Sequence, residues 1–130
     1  MRIAFPSDVY GQVKKVFEIS ESEGRLGVLL LTEHYDVLHL NLLPAMDSRN
    51  PQAVLRSALR QAECARFILV CVGTVEGLLP FAEECIKLGE ILGIECADFI
   101  VLHDGKYTSM SEEGLFITRD YYRRLLGGRK

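Results

Sequence analysis

The residues of this chain with the widest chemical range are four cysteines, Cys64, Cys71, Cys85 and Cys96, and three histidines, His34, His39 and His103. Thiolates and imidazoles hold zinc and serve as nucleophiles and bases. No two cysteines form a C-x-x-C pair, and each lies in an apolar segment. There a thiol packs as a small hydrophobe and stays reduced. A zinc site rebuilt from the histidines and cysteines needs distant segments to converge. Cys71 is the best-placed thiol, because it stands just before Gly73-Thr74-Val75-Glu76-Gly77, a connection between an expected strand and helix. Backbone amides at such a junction can hold an anion. The stretch lacks the G-K-[ST] of a phosphate loop, and Glu76 repels phosphate, so it reads first as a glycine-permitted turn. Cys71 remains a weak nucleophile candidate, with no signature of a triad around it.

The elements that must position these residues follow from periodicity. Ser7 or Asp8 caps an expected helix, with Val9, Val13, Val16 and Phe17 at helical spacing, and the polar run at 20–24 ends it. Leu26 to Leu31 is apolar throughout, as a strand covered on both faces requires. Glu33 to Asp36 reads as a hairpin turn and Val37 to Leu43 as the returning strand. Ser48-Arg49-Asn50-Pro51 starts a helix that runs to about Glu63, with Ala53, Val54, Ala58 and Ala62 on one side. Phe67 to Val72 is a second buried strand, expected at the centre between Leu26–Leu31 and Ile94–Leu102. After the loop 73–77, a helix is expected from Pro80 to Leu92, with Phe81, Cys85, Leu88 and Leu92 inward and Gly93 as its stop. Ile94 to Leu102 is a strand, Asp104-Gly105 a tight turn, Lys106 to Met110 its partner, and Ser111 to Glu113 a helical turn. The order predicts a single α/β domain, a mixed β-sheet with helices on its faces.

Composition bounds the rest. A chain of 130 residues with 48% hydrophobic and 25% charged residues fits one soluble domain. A formal net charge of -3 argues against nucleic-acid binding by bulk electrostatics. No apolar run is long enough to span a bilayer, so no membrane role is expected. The first residues lack a signal-peptide layout, which points to the cytoplasm.

Residues Phe81 to Phe116 also carry a family pattern: Leu92-Gly93-Ile94, Asp98, Asp104-Gly105-Lys106-Tyr107, Ser109 and Glu113-Gly114-Leu115, in that order. This resembles the end of the RadC-like branch of the JAB/MPN metallopeptidase domains. There a helix ending in "lLGI" leads to a "D-H-hydrophobic" strand, a "G-D-G-x-Y-x-S" hairpin and a short "e-x-G" helix. More loosely, 26–43 resembles the family's first hairpin and 50–64 its following helix. The resemblance implies the JAB/MPN, cytidine-deaminase-like architecture for residues 1–117. It stops before the tail, 118–130, where Tyr121, Tyr122, Leu125 and Leu126 lie among five basic residues. That tail reads as an amphipathic helix packed on its own domain or across a homodimer; the alternative is a partner- or anion-binding appendage.

The family places its metal motif, H-N-H-P-S-G with a downstream Ser and Asp, where this chain reads Val72-Gly73-Thr74-Val75-Glu76-Gly77. None of His34, His39 and His103 stands two residues from another, and the downstream Asp falls near Leu78. The family's proton-moving Glu falls on Gly24, one residue from Glu23, so Glu23 is a weak candidate for a catalytic relic and reads first as a solvated charge in a polar turn. Asp98 matches the family's strand Asp, but the adjacent His is Phe99 here. The resemblance therefore implies a domain without the metal ligands: no metal and no cofactor are expected, and Gly73, Thr74, Glu76 and Gly77 outline a vestigial cleft. The expected role is non-catalytic, a protein-binding or scaffold module for an unknown protein partner. The alternatives are a hydrolase with a rebuilt or non-JAMM site and a DNA-repair-associated factor.

Overall fold

A computed structural model of the chain describes residues 2–19, 26–44, 49–103 and 105–114. Glu23, Asp104 and the tail at 118–130 lie outside the described residues. Within them the chain forms a small α/β domain with one mixed five-stranded sheet and three helices. The helices are α1 (Pro6–Ile19), α2 (Pro51–Leu59) and α3 (Val75–Leu92). The strands are β1 (Leu26–Leu31), β2 (Val37–Leu43), β3 (Arg66–Val72), β4 (Glu95–His103) and β5 (Lys106–Ser109). Their order in the sheet is β2-β1-β3-β4-β5. Only β3 and β4 run parallel; the other neighbours are antiparallel.

The apolar runs explain this order. β1 is buried along its whole length and β3 along all but its last residue, since each is covered on both faces. On one face α2 and α3 bring Val54, Leu55, Leu78 and Phe81 against Leu26, Val28, Leu30, Phe67 and Phe99 of the sheet. On the other face α1 lays Val9 and Val13 over Leu29, Val70 and Ile100. β3 is thus central, as its sequence requires. In β4 the register with β3 slips by one residue at Ala97. The bulge reverses the alternation, so that Cys96 and Phe99 share the α2–α3 core while Ala97 and Ile100 share the α1 core.

Three expected boundaries are corrected. The first helix is not capped by Ser7 or Asp8 at its start; Pro6 opens it, and the Asp8 carboxylate reaches back to accept hydrogen bonds from the amides of Ala4 and Phe5, both 2.9 Å. This is the reciprocal half of a capping box. α2 ends at Leu59 rather than near Glu63, and Ala62 is exposed. Residues 60–65 turn instead, because the amide of Ala65 is already bonded to the carbonyl of Leu31 in the sheet. α3 begins at Val75 and contains Pro80 in its second turn. A proline there removes the bond to the carbonyl four residues back. Burial of Leu78, 1% exposed, and of Phe81 against the core offsets that loss. Within the same helix Leu92, expected inward, is exposed.

Other expectations hold. Asn50 caps α2 through its side chain, which accepts from the amides of Gln52 and Ala53, with Pro51 at the first helical position. Gly93 ends α3 in the left-handed conformation, φ 77°. No helix among the described residues is long and apolar enough to cross a membrane.

Candidate functional site

The expected vestigial cleft lies at the carboxyl end of β3, where open α/β sheets usually bind ligands. Gly73 and Thr74 form the turn into α3, and Glu76 and Gly77 are not loop residues but belong to the first turn of that helix. All four are exposed. The amide of Gly73 is used, donating to the carbonyl of Leu102 at 3.3 Å. Thr74 occupies the cap position but its hydroxyl caps no helix amide. Leu78, at the place where the resemblance expects a metal-binding Asp, is turned into the core.

These residues do not fit a zinc ion. Zinc requires imidazole, thiolate or carboxylate ligands converging at about 2 Å, and Glu76 is the sole such side chain in the turn. His34 stands in the β1–β2 turn, His39 on β2 and His103 at the end of β4. His34 lies 3.2 Å from Glu33, and the His103 ring is 3.0 Å from the Thr108 hydroxyl. Among the described residues no three His, Cys, Asp or Glu side chains are grouped to hold a metal.

Cys71 does sit near this turn, but it faces inward beneath α2 and α3 and is fully buried. Burial pushes its thiol above the ordinary value; Arg49, whose Nη1 lies 3.9 Å from Sγ, pulls the other way and does not prevail. The structure therefore gives Cys71 the environment of a packing residue rather than an activated nucleophile.

Asp98 and Ser109, both part of the resemblance, meet directly. The Ser109 hydroxyl donates to one carboxylate oxygen of Asp98, and the amides of Phe99 (2.7 Å) and Ser111 (3.1 Å) donate to the other. Ser109 Oγ in turn accepts from the amide of Glu112 at 3.1 Å. A buried carboxylate is stabilised by such donors. Here they pin the turn after β5 to the middle of β4, a structural role for Asp98.

Hollows lie elsewhere among the described residues. One, about 300 Å³, opens at the amino ends of β3 and β4 around Arg66, Glu95, Glu90 and Gly89. Another, about 390 Å³, runs between the edge strand β2 and α2. Asn41 on β2 donates to the Ser57 hydroxyl on α2 across its floor, and Arg56, Arg60 and His39 line it. Sequence reasoning passed over Arg56 and Arg60. Their spacing of four within the expected helix was the available signal; the strand opposite them was not, because it depends on the sheet order.

Neither the models of known protein families nor the curated proteins match this chain.

Proposed function

We propose that the chain is a degenerate RadC-like JAB/MPN domain that serves as a non-catalytic protein-binding module. The observation that carries this reading is the turn after β3. Where that family assembles its metal ligands, this chain has two exposed glycines, a threonine and a glutamate, followed by a leucine packed into the core. A catalytic zinc site needs three protein ligands and an open position, and the turn offers one carboxylate. Support for the family relation comes from the helix–strand–hairpin unit α3-β4-β5. Gly93 stops the helix, Gly105 has the positive φ (72°) of the tight turn, and Asp98 and Ser109 are hydrogen-bond partners. These positions of the motif thus have physical tasks that survive without a metal. A fold says little about activity, so the site decides.

The test is zinc content and hydrolysis measured together. Protein purified without chelator is expected to carry far less than one equivalent of zinc and to cleave neither peptide nor isopeptide bonds when zinc is added. One tightly bound zinc per chain, with chelator-sensitive hydrolysis, overturns the reading.

A further inference from the structure

β2 is an edge strand with the sequence of an inner one. Its seven residues, VLHLNLL, contain neither lysine nor proline. Leu38 and Leu43 pack against the core under α2 and α3, while Val37, Leu40 and Leu42 pack against the core under α1. Among the described residues no strand pairs with its outer side; residues 2–3 meet the chain just before its start, where Arg2 bridges Asp36 and the amide of Ile3 donates to the carbonyl of Tyr35 at 2.9 Å, and the rest of the strand has no neighbour there. Proteins usually blunt such edges with short strands, charges, prolines or bulges; β2 has one irregularity near its start, opposite Leu30 and Leu31, and is regular from His39 to Leu43. The opposite edge follows that rule: β5 has four residues and opens with Lys106. The sheet is therefore protected at one edge and open along His39–Leu43 of the other.

The groove between β2 and α2 runs along that open edge. Arg56 on α2 and Arg60, the residue that caps its carboxyl end, line it, and among the described residues no acidic side chain does. Neither arginine forms an ion pair among the described residues. Two like charges four residues apart disfavour the free helix slightly, and an anion between them reverses the sign. On the strand, His39 and Asn41 point to the α2 side, as the Asn41–Ser57 hydrogen bond shows. Side chains of a strand laid beside β2 alternate in the same way. Beside the regular stretch His39–Leu43, every second one then enters the groove.

We propose that this groove takes an extended acidic segment of a protein partner, added to β2 as a sixth strand, with alternate Asp or Glu carboxylates set between Arg56 and Arg60. The inference rests on the protein-binding reading above and names its surface and partner class. Main-chain hydrogen bonds to the edge supply affinity, and alternate side chains supply selection. Arginine holds a carboxylate through paired, charge-assisted hydrogen bonds. The phosphates of a nucleic acid satisfy the arginines equally well but make no use of the amides and carbonyls along the outer side of β2.

The probe is a blocked seven-residue peptide with Glu at alternate positions and Val or Thr between, titrated into the full chain. Two further peptides replace every Glu by Gln, or methylate the amides along one edge. The Glu peptide is expected to saturate the protein. The Gln peptide, and the Glu peptide with the Arg56→Ala/Arg60→Ala variant, should each bind about tenfold more weakly or worse. The methylated peptide should not bind, and Arg56→Lys should keep part of the affinity. Melting curves establish that both variants fold. No saturable binding, equal binding of the Gln peptide, indifference to both arginines, or tighter binding of a heptanucleotide at the same site overturns the proposal. So does a dimer in which a second copy's β2 fills the edge. The zinc and hydrolysis test reads independently. A chain that binds the peptide and hydrolyses with zinc keeps the groove and loses the non-catalytic reading. An inert chain that ignores the peptide does the reverse, and its partner docks elsewhere.

Discussion

Arg66 and Glu95 face each other as paired residues across the parallel β3–β4 strands, with Nη1 2.8 Å from Oε1 and side chains only 10% and 18% exposed. The same guanidinium donates from Nε to the carbonyl of Glu33 at 3.2 Å and lies 4.7 Å over the ring of Tyr35. Tyr35 is the non-glycine residue with positive φ in the β1–β2 turn, 67°. One arginine therefore ties the strained hairpin turn to the amino ends of two central strands. Its planar head does both tasks at once, which a lysine cannot.

Removing one member of a buried pair strands the other's charge. Glu95→Ala is expected to lower stability by about 3 kcal/mol, and Arg66→Lys by less, through the lost fork and ring contact. Urea unfolding measures both. A loss below about 0.5 kcal/mol for Glu95→Ala, the scale of an exposed pair, contradicts the burial of this one.

Gly89 and Gly11 make a matched pair of tests on helices. A Cβ at Gly89 stands 2.3 Å from the carbonyl oxygen of Ile94, because the chain folds back across the end of α3 into β4. Nothing lies within 4 Å of a Cβ at Gly11. Gly89→Ala is expected to destabilise by about 1–3 kcal/mol or more. Gly11→Ala is expected to stabilise by roughly 0.5–1 kcal/mol, the usual helix gain over glycine. Thermal melts of the two variants should move in opposite directions; a shared direction is the contrary result.

The buried strands were legible because covering both faces leaves unbroken apolar runs, and β1 and β3 have them. The same logic misleads at β2, which is mostly apolar yet lies at the edge, its residues largely half-buried. Nothing local separates an inner strand from an apolar edge strand. The start of α3 was missed for a related reason. Pro80 is a local signal for a helix start, and the burial of Leu78 that overrides it is tertiary. Cys71 was legible as buried from its neighbours, whereas the nearness of Arg49 was not, since 22 residues separate them in sequence. The groove at Arg56 and Arg60 depends wholly on α2 packing beside β2, and no spacing in the sequence records that.

Acid should weaken the start of α1. The amides of Ala4 and Phe5 hold the Asp8 carboxyl below its ordinary 3.8. A carboxyl depressed in the folded state stabilises at pH above its ordinary value, and that contribution fades as pH falls through the folded value. Asp8→Ala should therefore melt lower than the parent chain at neutral pH. Its deficit should shrink progressively once the pH drops below about 4. Melting temperatures of both proteins from pH 7 to pH 2 give the comparison. A deficit that stays constant with pH means that the carboxylate contributes through packing alone.

The four thiols should separate by environment. Burial pushes Cys85 up to about 12, with Glu84 adding to the effect, and raises Cys96 well above 9.0, again through burial first. Burial also raises Cys71 despite Arg49, and raises half-buried Cys64 despite hydrogen bonds to the backbone. Thiolate is the reacting form, and its fraction falls about tenfold for each pH unit by which the thiol's value rises. At pH 8 the native protein is therefore expected to show Cys64 labelling first with a disulfide reagent. Cys71, Cys85 and Cys96 should lag behind it, and all four should equalise in denaturant. Cys64 is also the thiol closest to the surface among the four, so access and acidity act in the same direction. Mass mapping of the labelled sites after short exposures resolves the order. If Cys71 labels as fast as Cys64 in the native state, it is an exposed, activated thiol beside the turn after β3, and nucleophilic chemistry becomes open to it there.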